Sequence, residues 1–180
     1  SLNSPLTFTS ENWDTPQTVT ITGVDDDVID GDQSTTITVS VVDALSDDDF
    51  DSLNDQTVAS VTADNDQAGF TVVEFGGSTG VTESGDTDTF TVVLDAQPDS
   101  DVVLTITSSD TGEATVTSTL TFTSANWNTA QTVTVTGVDD NAIDGSQTST
   151  ITIAVDDANS DNNFDAVADK TVTVVTTDDD

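Results

Sequence analysis

An ungapped internal repeat limits the folds open to this chain more than any other feature. The segment LTFTS at positions 6–10 returns at 120–124, Trp13 returns as Trp127, and Phe50 returns as Phe164. Most positions from 6 to 66 match their counterparts from 120 to 180. Because self-similarity at a fixed spacing marks tandem structural units, we expect a unit of about 114 residues copied along the chain.

The repeat predicts two domains of unequal completeness. Residues 67–180 make one complete unit, whereas residues 1–66 correspond to the C-terminal portion of a preceding unit. The counterparts of the first part of the complete unit are absent from that portion, so alone it exposes half a core and open strand edges. A longer array, strands from a neighbouring chain, or tolerance of the partial copy would each account for this, and we favour the array.

Short segments of alternating polarity predict the fold class. Phe90, Val92 and Leu94 share one face of a predicted strand, and Ile151 and Ile153 share a face of a later one. No segment of useful length has helical periodicity. About seven short strands, a loop over 80–86 and a hairpin connection at 126–128 are therefore expected. The pattern predicts an all-β, antiparallel β-sandwich of the immunoglobulin-like kind, repeated in tandem.

The composition restricts the chemistry. The 35 acidic residues face a single basic one, Lys170, and the net charge is -34. This balance argues against nucleic acid and anionic membrane surfaces as partners. With no Cys and no His, the chain cannot build a thiolate or imidazole metal site, a disulfide or a Ser-His-Asp triad. Oxygen ligands remain, and calcium accepts irregular carboxylate cages better than magnesium does.

The acids are concentrated in one recurring run. GVDDDVIDG at 23–31 returns as GVDDNAIDG at 137–145. Two carboxylates 4 Å apart near a protein surface repel by about 4 kcal/mol, unless a cation lies between them. The spacing does not fit an EF-hand, since Val28 and Ile37 would fall where that loop needs oxygen ligands. Asp86 and Asp88 are expected to be solvated loop charges, and no cleft suited to catalytic carboxylates is indicated.

The order of the motifs resembles that of the Calx-beta domain, a family with bacterial relatives in long surface proteins. The similar motifs are the run at 23–32, VTADNDQAGF at 61–70, VTESG at 81–85 and SDNNF at 160–164. The resemblance spans the full unit. It implies a calcium cluster at one end of the sandwich, where the loop after the first strand, the acidic loop and the end of the last strand converge.

Carried over residue by residue, the resemblance nominates two sets of metal ligands. In the complete copy these are Glu83, Asp139, Asp140, Asp144, Asp178, Asp179 and Asp180. In the partial copy they are Asp25, Asp26, Asp27, Asp30, Asp64, Asn65 and Asp66. Asn141 and Ser146 depart from the first copy, and a further acidic ligand expected near Asp110 is not placed.

The expected function is that of a calcium-binding structural repeat that stiffens a long extracellular adhesin or surface filament without catalysis. Its partners would be neighbouring repeats of the same chain, with association of identical chains into a filament as a further expectation. Nucleic-acid binding and membrane insertion are not expected, and the location would be extracellular or at the cell surface. Two alternatives stay open: an acidic, salt-adapted cell-wall or S-layer-type protein without specific calcium sites, and a ligand-binding adhesion module.

Overall fold

A computed structural model describes residues 5–180 and divides the chain into two compact units. The first comprises the residues up to Asp26 together with Asp30–Asp64, and the second comprises Asp27–Ile29 and Asn65–Asp180. The first four residues of the predicted 1–66 domain lie outside the described part. The repeat boundary after residue 66 stays a prediction.

The described residues form eleven strands. In chain order they are β1 Gln33–Val39, β2 Gln56–Thr62, β3 Phe70–Glu74, β4 Thr79–Thr82, β5 Thr87–Leu94, β6 Val102–Ser108, β7 Ala114–Val116, β8 Thr119–Phe122, β9 Gln131–Gly137, β10 Gln147–Val155 and β11 Lys170–Thr177. Short 3-10 turns at Asp43–Leu45, Asp48–Phe50, Phe75–Gly77, Asp157–Asn159 and Asn162–Phe164 complete the regular structure. None of the described residues belongs to a helix long and apolar enough to cross a membrane.

The second unit is a sandwich of two sheets, which confirms the predicted fold class. One sheet has the order β4-β11-β10-β6-β8 and the other the order β3-β5-β9-β7. Alternate residues of β5, β6, β9, β10 and β11 are buried, as a sheet with one face on the core requires. Phe70, Phe90, Phe122 and Phe164 lie fully buried between the sheets with the aliphatic side chains.

Two local predictions were wrong. Part of the segment expected to be a loop forms β4, which pairs in parallel with β11, and with the further short strand β7 this unit has nine strands rather than about seven. Gly76 and Gly77 adopt positive φ values of 75° and 82°, and this bend takes the chain from β3 in one sheet to β4 in the other. The connection at 126–128 is not a hairpin, because β8 and β9 belong to different sheets.

The first unit contains the antiparallel pair β1–β2, with Gln33 opposite Thr62 and Val39 opposite Gln56. Among its described residues, Ile37 is the one apolar side chain that is buried. This unit therefore has local strand pairing without an enclosed core.

Candidate metal site

The parallel pairing of β4 with β11 fixes the first two parts of the site. Thr82 lies opposite Thr177, so Glu83 and Asp178 follow at the same edge of the sheet. The Glu83 N–H donates to the Thr177 carbonyl oxygen at 3.1 Å. A loop residue that follows the short β4 is thereby placed beside the end of the last strand.

The acidic loop between β9 and β10 supplies the third part. The Gly145 N–H donates to Asp178 Oδ2 at 2.7 Å, and the Asp180 N–H donates to Asp178 Oδ1 at 2.9 Å. These two backbone donors, Asp180 first and Gly145 second, lower the pKa of Asp178 below its ordinary value. Asp178 thus ties the loop to the segment after β11 as a stable carboxylate.

Three carboxylates from these three segments meet in space. One oxygen atom each of Glu83, Asp140 and Asp180 lies within 4.8 Å of the other two. Oxygen ligands lie 2.3–2.6 Å from calcium, so two ligands of one ion are at most about 5 Å apart. The spacing of the three oxygens is compatible with a shared calcium ion.

Glu83 is the unusual member of this group. Its side chain is 1% exposed, and neither carboxylate oxygen has a hydrogen-bond partner. Burial, followed by the charges of Asp178 and Asp140, raises the pKa of Glu83. A buried carboxylate with no donor and only negative neighbours is unfavourable unless it binds a cation or a proton, so the residues present fit a hard metal ion.

Glu113 is a second buried carboxylate, and it is not among the ligands predicted from the sequence. It precedes β7, which pairs with β9, and the Val138 N–H donates to its carbonyl oxygen at 2.9 Å. Its Oε2 atom is buried without a partner, and burial followed by Asp144 raises the pKa of its carboxyl group. Glu113 occupies the region near Asp110 where an acidic ligand was expected and not placed.

Two aspartates, the exposed Asp86 and the half-buried Asp88, hold the backbone on either side of Glu83. Asp86 Oδ1 accepts the Thr82 N–H at 2.6 Å, and Asp88 Oδ2 accepts the Gly80 N–H at 2.9 Å. Their expected role as solvated charges stays a prediction, and their hydrogen bonds also stabilise the backbone next to Glu83.

The remaining predicted ligands of the complete copy lie around this group. Burial and the neighbouring charges of Asp179, Asp178 and Asp139 raise the pKa of Asp180. Asp144 lies near enough to raise the pKa values of both glutamates. All seven predicted residues therefore contribute charge to one end of the sandwich, although their roles as ligands stay predictions.

The predicted ligands of the first copy are divided between the two units. Asp25, Asp26, Asp30 and Asp64 belong to the first unit, and Asp27, Asn65 and Asp66 belong to the second. The hydrogen bond from Gly145 to Asp178 has a counterpart in this copy, where the Gly31 N–H donates to Asp64 Oδ2 at 2.7 Å. Within residues 5–180, a group of three carboxylates with metal-like spacing occurs at Glu83, Asp140 and Asp180. The first-copy ligands stay a prediction.

The positive charge of the chain lies away from this site. Lys170 opens β11, whereas the acidic group lies beyond the opposite end of that strand, roughly 23 Å away for a strand of this length. The Lys170 ammonium group donates to the Phe70 carbonyl oxygen and lies 5.2 Å from the centre of the Phe70 ring. No other Lys or Arg exists in the sequence. The negative charge around Glu83, Asp140 and Asp180 must therefore be balanced by external cations.

Comparison with known proteins shows no family. No family model matches the chain, and no curated protein matches it. Among solved structures, the apo form of the Calx CBD1 domain is 15% identical, with a TM-score of 0.43 over 62% of this chain and 98% of that one. Domains 4 and 5 of the S-layer protein SbsC are 20% identical, with a TM-score of 0.45 over 81% of this chain and 58% of that one.

A third similar structure is SSP-19, an MSP-domain-like protein of Caenorhabditis elegans. It is 18% identical, with a TM-score of 0.37 over 57% of this chain and 94% of that one. All three likenesses are weak.

Proposed function

We propose that this chain is a calcium-binding structural repeat of a long extracellular adhesin or surface filament. The observation that carries the proposal is the Glu83 carboxylate, which is buried, lacks any hydrogen-bond donor and has an oxygen atom within 4.8 Å of oxygens of Asp140 and Asp180. Calcium would give these oxygens, and the orphaned Glu113 Oε2, the positive partner that the protein itself lacks.

The three segments of the site suggest how calcium would act mechanically. Glu83 follows β4, Asp140 follows β9 and Asp180 follows β11. Bound calcium would cross-link two loops and the segment after β11, whereas without it their like charges would push them apart. In the first copy the counterpart of 178–180 is the sequence DND at 64–66, and β3 begins at Phe70 shortly afterwards. Calcium is therefore proposed to limit bending where one repeat leads into the next.

The decisive experiment is a thermal melt with calcium or with chelator at fixed sodium chloride concentration. Extracellular calcium modules bind with dissociation constants of about 10⁻⁴ to 10⁻³ M. Ten millimolar calcium would then stabilise the folded state by about 1.4 to 2.7 kcal/mol, which corresponds to about 4 to 12 °C for a domain of this size. An unchanged melting temperature would refute the calcium proposal and favour a salt-adapted wall protein.

A matched pair of variants assigns the effect to the site. Glu83→Gln removes the charge of the buried carboxylate, and Glu11→Gln makes the same change at an exposed position of the first unit. Glu83→Gln should weaken calcium binding about tenfold or more, since ligand charge sets the affinity of such sites, and Glu11→Gln should leave it unchanged. Equal effects of the two variants, measured by calorimetry, would mean that calcium acts through the net charge.

A further inference from the structure

The chain contains two Asp-Gly bonds, and both lie in the recurring acidic run. They join Asp30 to Gly31 and Asp144 to Gly145, and no other glycine follows Asp or Asn. Glycine has no side chain to hinder attack of its amide nitrogen on the carboxyl group of the preceding aspartate. Asp144 and Gly145 are exposed and lie outside regular structure, and a Cβ atom at Gly145 would meet nothing within 4 Å. The bond after Asp144 is therefore open to water and to attack by its own amide.

The reaction open to such a bond is isomerisation of the aspartate through a cyclic imide. The Gly145 nitrogen attacks the side-chain carboxyl carbon of Asp144. A C–N bond forms, a carboxyl C–O bond breaks, and the amide proton leaves with the hydroxyl group as water. Water then opens the ring at one of its two carbonyl groups, and opening at the main-chain carbonyl leaves isoaspartate, whose backbone is longer by one carbon atom. The water released in the first step is taken up in the second, so the mass is unchanged and no oxidant or cofactor is needed.

A carboxylate lies against the nitrogen that must react. The Gly145 N–H donates to Asp178 Oδ2, and the Gly31 N–H donates to Asp64 Oδ2, each at 2.7 Å. The attacking nitrogen has to lose its proton, which would leave a negative nitrogen beside a negative oxygen. Backbone donors hold the pKa of Asp178 below its ordinary value, so this carboxylate is a poor base for removing the proton completely. The hydrogen bond therefore opposes the first step of the reaction.

The backbone conformation explains why a glycine follows the aspartate here. The φ values of Gly145 and Gly31 are 72° and 71°, in the left-handed region that glycine adopts without strain. In this conformation the Gly145 amide meets Asp178, which follows β11. Any other residue would make the bond less reactive but would strain the turn. Both copies have the same arrangement of Asp, Gly and distant carboxylate.

We propose that the Asp144-Gly145 bond is a site of aspartate isomerisation, and that the Asp178 carboxylate suppresses the reaction by holding the Gly145 amide. Asp64 has the same role at the bond after Asp30. When the segment after β11 detaches from the acidic loop, the amide is released and the bond becomes reactive. The rate of isomerisation at Asp144 is then set by how often this contact opens.

The test measures isoaspartate at both bonds in the full chain during incubation at constant temperature and pH. Chelator is present throughout, so the result does not depend on the proposed calcium site. Isoaspartate is quantified with an isoaspartyl methyltransferase, and chromatography of peptides assigns it to a bond, because the mass does not change. Asp178→Ala should accelerate isomerisation at Asp144 by about tenfold or more, since it removes a hydrogen bond to a charged group, with Asp30 as the internal reference. Asp64→Ala should have the corresponding effect at Asp30.

Two further variants control for charge and for folding. Asp169→Ala removes an exposed carboxylate that precedes β11 at its other end, and it should leave both rates unchanged. Asp178→Asn keeps the shape of the side chain and a neutral acceptor, so it should accelerate isomerisation less than Asp178→Ala does, and it decides the question if the alanine variant does not fold. Hydrogen exchange of the Gly145 amide should speed up in parallel, because exchange removes the same proton.

The proposal is overturned if no folded Asp178 variant isomerises at Asp144 faster than the unsubstituted chain. A slower reaction in these variants would also overturn it, because Asp178 would then be acting as a general base.

Discussion

Gly137 offers a sharp test of how the metal site is assembled, because it is the point where two of its segments touch. A Cβ atom at Gly137 would lie 2.0 Å from the Thr82 carbonyl oxygen and 2.9 Å from its carbonyl carbon, whereas ordinary contacts begin at 3.4 Å. Gly137→Ala therefore forces the backbones apart by about 1.4 Å. Thr82 immediately precedes Glu83, and Gly137 precedes the loop that carries Asp140.

The displacement is large on the scale of a metal site. Ligand distances in such sites hold to within about 0.2 Å, so we expect calcium affinity to fall by about tenfold or more. The backbone overlap should also cost about 1 to 3 kcal/mol in unfolding free energy, which corresponds to a melting temperature lower by about 4 to 12 °C. Isothermal calorimetry and thermal melts with chelator separate the two effects.

The repeat supplies the control. Gly23 is the counterpart of Gly137, and a Cβ atom there would meet only the Thr62 side chain, at 3.3 Å from Cγ2. Gly23→Ala should change the melting temperature by less than about 2 °C and leave calcium binding by the second unit intact. If Gly137→Ala binds calcium as tightly as the unsubstituted chain, the close approach of these two segments does not position the site.

Three further predictions follow from the same contacts. Glu113→Gln removes a buried charge with negative neighbours. It should therefore raise the melting temperature in chelator and lower calcium affinity by about threefold to tenfold. Paired melts measure the first effect and calorimetry the second. Burial raises the pKa values of Glu83 and Glu113 above 4.5, so the calcium-free protein should gain stability as pH falls from neutrality through the raised values. Urea unfolding at pH 7 and pH 5 measures this, and a loss of stability at pH 5 would contradict it. Phe164→Ala should cost about 3 to 5 kcal/mol in urea unfolding, whereas Phe50→Ala should cost about 1 kcal/mol or less because that ring is half exposed.

Local patterns in the sequence predicted the strands and the sheet faces well. The alternation of Phe90, Val92 and Leu94 appears in the structure as alternate burial along β5, because a strand with one face on the core imposes a period of two. The same reasoning failed for residues 17–23, whose sequence alternates as β9 does and yet forms no strand. Strand formation there depends on a partner distant in sequence, which a local pattern does not contain.

The sequence predicted the three segments that form the candidate site, but it did not predict every acidic residue in it. The recurrence of the acidic run drew attention to Asp140, whereas Glu113 is a lone acid in a short turn and resembles a solvated charge. A compositional signal was present, since only four of the 35 acidic residues are Glu and two of these four are buried at the site. The position of Glu113 depends on the pairing of β7 with β9, which the sequence did not predict.

The lone lysine has a consequence for resistance to proteolysis. Trypsin-like proteases cleave after Lys or Arg, and this sequence offers them one such bond, after Lys170. That residue begins β11, where it pairs with Ile153 of β10, and its ammonium group is held against Phe70. Proteolysis requires an extended, accessible backbone, so cleavage must wait until the strand detaches from its sheet. The composition that leaves the acidic end without a counter-charge also leaves the chain almost without targets for a common class of digestive enzymes.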